Sequence, residues 1–196
     1  MGAGGHAKVV CDALLASGIS EAELLGFADD NPRKCNTRVL GLPVLGSLEA
    51  LNRAGEVDLA MGVGDNSVRR RLFDRAKALG YRFINVIHPS AVIARDCELG
   101  SGIVVFANAV VNVSTRIEDN VILNTASSVD HDCAIGAHAH IAQGARLAGG
   151  VKIGVGALIG VGACVISGCE VGDWSVVGAG AAVTQPVPSG LTLDSP

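Results

Sequence analysis

The sequence predicts two units in series: an α/β unit over residues 1–86 and a parallel β-helix over 87–186, with 187–196 as a tail. Three observations carry this prediction. Residues 91–186 divide into six-residue units without a single insertion. The chain has 26 glycines and only 3% aromatic residues, which suits a core of small and β-branched side chains wound through repeated tight turns. Before residue 88 the hexads are absent, and helical periodicity alternates with short apolar runs instead.

In chain order, a glycine string opens the α/β unit. Gly2-Ala3-Gly4-Gly5-His6-Ala7 reads G-x-G-x-x-A and leads into a helix over 5–17 that Gly18 stops. Missing side chains at such a turn let backbone N–H groups approach a phosphate at the helix N-terminus. The apolar run at 24–28 ends at Asp29 and Asp30, where units of this kind place a ribose or base contact. A second run, 57–63, precedes a helix over 66–79 capped by Asp65 or Asn66. On it Val68, Leu72, Phe73 and Ala76 form the inward face, Arg69–Arg71 are expected to be solvated, and Lys77 points outward. The glycine string should follow a strand, yet only Met1 precedes it. A start set too late or a truncation is the expected reading; the alternative is a small sheet built without its usual central strand, which would leave apolar surface uncovered.

The hexads run from AVIARD at 91–96 to AAVTQP at 181–186. Their third position is always Ile, Leu or Val, from Ile93 to Val183, while the first position is mostly small and the fourth is often Gly. An aliphatic residue therefore recurs where the chain points inward, and a small one where it bends. Three hexads make one triangular coil, and coils stack about 4.8 Å apart. The run gives five coils and one extra face. His88, before Pro89, marks the extended entry into the first hexad.

Nineteen acidic against fifteen basic residues give a charge of −4, so composition forecasts no basic surface for nucleic acid. No eighteen-residue stretch is free of polar, charged or glycine interruptions, so membrane insertion is not expected. The six cysteines do not read as a disulfide framework. Cys97, Cys133 and Cys169 share one edge but lie two coils apart, beyond disulfide reach. A cytoplasmic setting follows as the expectation.

The uninterrupted hexads resemble the left-handed parallel β-helix of hexapeptide-repeat acyltransferases. With GAGGHAKVV at 2–10, FADDN at 27–31, GVGDNSVRR at 62–70, NVIHPSAVI at 85–93, ILNTASSVDHDCAIG at 122–136 and HIAQGARLAGGVKIG at 140–154, the whole chain resembles the nucleotide-sugar acyltransferases of the sialic acid O-acetyltransferase and bacillosamine N-acetyltransferase group. The likeness runs from Gly2 to about Gly190, where Leu191–Pro196 replaces the family's usual continuation. It implies a Rossmann-like nucleotide-binding domain, a homotrimer with active sites between subunits, and acetyl-CoA as co-substrate.

Five histidines occur, and three of them fall at 131, 138 and 140. His131 lies between Asp130 and Asp132, carboxylates able to fix its tautomer and raise its basicity. An amine or hydroxyl attacking a thioester must lose a proton, so His131 reads as general base and Asp132 as its partner, which the resemblance also implies. Gly149 stands eighteen residues on, one coil along, where its N–H would meet an oxyanion. An ordinary turn glycine is the alternative at this position. The resemblance implies that His140, with backbone groups of Val161 and Ala179, meets acetyl-CoA, and that Asn124 touches the acceptor or bridges subunits. It further implies a nucleotide on Gly4, Gly5, His6, Asp29, Asp30 and Gly64. His138 is expected to be exposed.

Neither a cysteine nor a serine is placed as a covalent nucleophile beside His131, so direct attack in a ternary complex is expected. The predicted activity is acetyl transfer to the amino group of a nucleotide-linked amino sugar. O-acetylation of sialic acid or another sugar is the alternative, and a non-catalytic nucleotide-sugar-binding protein is the alternative of another class. A metal site is not expected, because no histidine lies between His88 and His131 to complete the three-histidine zinc pattern of β-helical carbonic anhydrases. A dinucleotide oxidoreductase would need a second nucleotide-binding half, for which the hexads begin too soon.

Overall fold

The computed structural model describes residues 1–51 and 57–194. Helix α1 (Gly5–Ala16) leads into strand β1 (Phe27–Ala28), a hairpin of β2 (Arg38–Val39) and β3 (Leu42–Gly46), the short helix α2 (Leu48–Leu51), strand β4 (Asp58–Leu59), helix α3 (Asn66–Ala78) and strand β5 (Arg82–Phe83). Two small sheets result, ordered β1-β3-β2 and β4-β5. Asp65 caps α3 by accepting from the Val68 N–H at 2.8 Å.

From Val86–Ile87 to Thr192–Leu193 the described chain runs through eighteen two-residue strands in three parallel sheets of seven, six and five. From Val86–Ile87 to Cys164–Val165 each strand pairs with the one eighteen residues on, as in Val110 with Ser128 and His140 with Leu158, while Val176–Val177 pairs sixteen on with Thr192–Leu193. The third-position residues fill the axis: Val105, Ile117, Leu123, Ile135, Ile141 and Ile159 are buried against small first-position residues such as Ala109, Ala139 and Ala157. The sixth position of the hexad turns through the left-handed region at Asn108, Ser114, Asn120, Ala126, Asp132, His138 and Trp174 as well as at glycines. Three stretches exceed their sequence reading. Val86–Ile87 already forms the first strand, Val187 bridges Val171, and Thr192–Leu193 pairs with Val176–Val177, so the stretch expected as a tail continues the β-helix.

The α/β unit sits on the seven-stranded sheet. There Val86, Val104 and Ile122 point outward in one column, and Val10, Ala13 and Leu14 of α1 bury them together with Phe106. Helix α3 is fastened to the neighbouring corner by Arg69, and here the sequence reading needs correction. Arg69 is completely buried rather than solvated. It donates to the carbonyls of Asn120, His138 and Ala139 on the β-helix and to Gly64 O and Asn66 Oδ1 on its own side. Five acceptors in one guanidinium fork offset the cost of desolvating it. His138 is also buried rather than exposed: its Nδ1 meets Asn120 Nδ2 at 2.8 Å and its ring meets the edge of Phe73.

Candidate active site

His131 stands on a corner, in the turn after strand Ser128–Val129. Asp132 has the left-handed φ of 57°, which turns its carboxylate back toward the preceding ring. His131 Nδ1 donates to Asp132 Oδ2 at 2.7 Å, leaving Nε2 as the free acceptor. Asp130 accepts from the His131 N–H and from Asn112 Nδ2, which holds the turn. The hydrogen bond to Asp132, reinforced by the charge of Asp130, raises the imidazole pKa above its ordinary value. This is an exposed, basic imidazole in a fixed tautomer.

Below the ring lies Gly149. A Cβ there would stand 2.6 Å from His131 Cε1 and 2.7 Å from Nε2, so glycine is what lets the ring lie down on the next coil. Its carbonyl accepts from Gly168 N at 3.0 Å, while its N–H has no acceptor among the described residues. Val161 and Ala179 are exposed on another corner column, stacked one coil apart, with Gly180 N donating to Val161 O.

A second group forms where the α/β unit meets the wall. His140 follows Val86, Val104 and Ile122 in the outward column, just past the footprint of α1. Its Nε2 accepts from Asn124 Nδ2 at 3.0 Å, while a Cβ at Gly64 would stand 3.7 Å from the neighbouring His6 ring. Asn124 Oδ1 in turn accepts from the Thr125 N–H. The His6 ring packs edge-on to Phe106 at 5.1 Å and to His140 at 6.2 Å, and its buried Nε2 has no hydrogen-bond partner among the described residues. Burial first, then the nearby Arg69 charge, drives both His6 and His140 down to about 4, so both are neutral near pH 7.

The glycine turn is open where a ligand would approach. A Cβ at Gly4 or Gly5 meets nothing within 4 Å, whereas one at Gly62 would strike Ala7 at 2.7 Å. Asp29 closes this turn from behind: it accepts from Ala3 N, Asn31 N and Lys34 Nζ, so its carboxylate is taken up by the chain itself. Asp30 is exposed and paired with Arg75. The structure thus joins Gly4, Gly5, His6, Gly64, Asn124 and His140 along one seam. No hydrogen bond or ring contact ties that seam to His131, which sits on a different wall, among the described residues.

Residues 1–76 match the family model described as the PglD N-terminal domain. PerB from Caulobacter crescentus, solved in complex with CoA and GDP-perosamine, is 39% identical with a TM-score of 0.91, over 98% of this chain and 91% of that one. The acetyltransferase domain of PglB from Neisseria gonorrhoeae, in complex with acetyl coenzyme A, is 39% identical with a TM-score of 0.92, over 98% and 93%. The chain belongs to the hexapeptide-repeat nucleotide-sugar N-acetyltransferases. Among curated relatives of this family, the GDP-perosamine N-acetyltransferase of Escherichia coli O157:H7 is 30% identical over 129 residues, which is 66% of this chain and 50% of the relative. The match therefore spans about half the length of that curated relative.

Arg69 escaped the sequence reading, although its signal was present. Positions 69, 73 and 76 fall at i, i+4 and i+7, the face that Phe73 and Ala76 bury. Asn66, which donates to Gly156 O and Ala157 O, was read only as a possible cap. Among the described residues no group of three or more His, Cys, Asp or Glu side chains is placed to hold a metal, and no helix is long and apolar enough to cross a membrane.

Proposed function

We propose that the protein transfers an acetyl group from acetyl-CoA to the amino group of a nucleotide-linked amino sugar. The observation that carries this reading is the exposed His131 imidazole, with Nδ1 held by Asp132 and Nε2 free above Gly149. The neutral acceptor amine attacks the thioester carbon while Nε2 takes its proton. The C–N bond forms, the C–S bond breaks, and the departing thiolate takes the proton back from the imidazolium. The unpartnered Gly149 N–H is the donor for the oxyanion in between.

In this reading the seam holds the acceptor. The open backbone at Gly4 and Gly5 and the loop at Gly64 take the diphosphate, with His6 and Asn124 beside the sugar. Asp30 lies at the nucleotide rim, and Asp29 acts through the shape of the turn. His140, Val161 and Ala179 line the path of CoA. Because His131 and the seam lie on different walls of one chain, a complete site needs the seam of one subunit beside the His131 corner of another. That supports a homotrimer with shared sites. Six free thiols suit a reducing, cytoplasmic setting.

The test is a free-thiol release assay with acetyl-CoA and a panel of nucleotide-linked amino sugars and their hydroxyl analogues. Amine-dependent thiol release, with the acetylated sugar seen by mass spectrometry, is the expected result. Turnover only with hydroxyl acceptors, or none with any sugar, overturns the assignment.

A further inference from the structure

The left-handed corners of the β-helix that are not glycine carry Asn, Ser, Ala, Asp or His among the described residues, with one exception. Trp174 takes a φ of 56°. A bulky side chain is seldom found in that region, because its Cβ crowds the backbone. Such strain persists where the surrounding contacts hold it, and those contacts point to its purpose.

The corner belongs to a column in which Gly102, Asn120, His138, Gly156 and Trp174 follow one another at intervals of eighteen residues. Helix α3 lies along this column. Phe73 stands over Gly102, where a Cβ would come within 2.8 Å of its ring. Arg69 donates to the carbonyls of Asn120 and His138. Asn66, the first residue of the helix, donates to Gly156 O at 3.0 Å and to Ala157 O at 3.1 Å. Trp174 completes the track from the next coil. Its ring covers Gly156, where a Cβ would stand 2.5 Å from it, and the Arg70 guanidinium sits over the ring at 5.4 Å from its centre.

These contacts run on to the turn at Gly64. Beneath the indole, the Gly156 carbonyl accepts from Asn66 Nδ2. Asn66 Oδ1 accepts from Arg69 Nη1 at 2.8 Å, and the same nitrogen donates to Gly64 O at 3.0 Å. Gly64 in turn borders the His6 ring. The middle of α3 is anchored by Arg69, whereas its first turn, next to Gly64, is held from the β-helix by Asn66 and the indole. Resting on the assignment of Gly64 to the acceptor's diphosphate, we infer that Trp174 is a positioning residue for the acceptor. By covering Gly156 and holding Arg70 it seats the first turn of α3 and sets the Gly64 loop for a nucleoside diphosphate. The reacting atoms lie elsewhere, at the His131 corner. Losing the ring therefore weakens acceptor binding alike in the ground state and the transition state, and leaves the acetyl-CoA side unchanged.

The experiment compares the full chain with its Trp174→Asn and Trp174→Phe forms. Asn already holds the same left-handed turn at Asn120, so the coil is kept, and Phe restores a flat ring. In steady-state assays of thiol release, Trp174→Asn should raise the KM for the nucleotide-linked amino sugar about tenfold, with kcat and the KM for acetyl-CoA within about twofold. Trp174→Phe should recover to within about threefold of the parent. Calorimetric titration with UDP and with GDP reads the same seat without turnover: whichever binds the parent more tightly should bind Trp174→Asn about tenfold more weakly. That loss of affinity in a protein that acetylates no sugar would uphold the seat and overturn the acetyl-transfer reading alone. An acceptor KM or nucleotide Kd unchanged in Trp174→Asn overturns the inference. So does a fall in kcat with both KM values kept, an equal rise in the KM for acetyl-CoA, a Phe form as weak as the Asn form, or a parent that binds neither nucleotide.

Discussion

His131 and His140 lie nine residues apart in the chain and on different walls of the prism, and their surroundings push the two imidazoles in opposite directions. At the corner, two flanking carboxylates and open solvent favour the protonated ring and raise its pKa. At the seam, burial and the Arg69 charge favour the neutral ring and bring it to about 4. One residue type therefore serves two purposes: a base that takes up a proton, and a rigid neutral element with its Nε2 committed to Asn124. The repeat supplies both positions, and what packs on each decides the chemistry.

The contrast is broken most directly by removing the base. His131→Ala should lower kcat by about 10²–10⁴-fold with the KM values little changed, in steady-state assays of thiol release. A variant within threefold of the parent would end the base assignment. Gly149→Ala comes next. Its methyl would push the ring off the next coil, and a displacement of about 1 Å at a reacting group costs roughly 10²-fold. Wild-type turnover in this variant would show that the ring does not work from its seat above Gly149.

Asp132→Asn sharpens the comparison by leaving the ring in place. Losing a hydrogen bond to a carboxylate should cost roughly 10–10²-fold. The acid limb of the kcat/KM profile should also move to lower pH, because the group that raises the His131 pKa is gone. An unmoved acid limb would detach Asp132 from the base. The smallest effect belongs to the seam and concerns stability. The native pKa of His140, about 4, lies below the ordinary 6.5, so the unfolded chain binds more protons between those values. Stability should therefore be full above about pH 6.5 and fall as the pH drops toward 4, as read by denaturant unfolding. His140→Asn should flatten that fall in part, leaving the contribution of His6.

The β-helix was legible because its period is local and strict. Every coil repeats one requirement, an aliphatic residue inward and a tight turn outward, so spacing alone located the strands from Val92–Ile93 to Ala182–Val183. The pair at 131 and 132 was legible for a related reason, since the two residues are neighbours in one turn. The α/β unit was less so. Its helices at Gly5–Ala16 and Asn66–Ala78 follow from their start and stop residues, but the β2–β3 hairpin went unread and the strands proved far shorter than their apolar runs.

The sequence by itself thus determined the prism, the corner that carries His131 and Asp132, and the glycine that lies one coil beyond them. Only the tertiary structure decided that Arg69 and His138 are interior, that Asp29 spends its carboxylate on its own turn, and that His6 and His140 meet at one seam. The reason is range. A six-residue period is written in neighbouring residues, whereas the burial of a guanidinium 51 to 70 positions from its β-helix acceptors depends on how two separately folded surfaces meet.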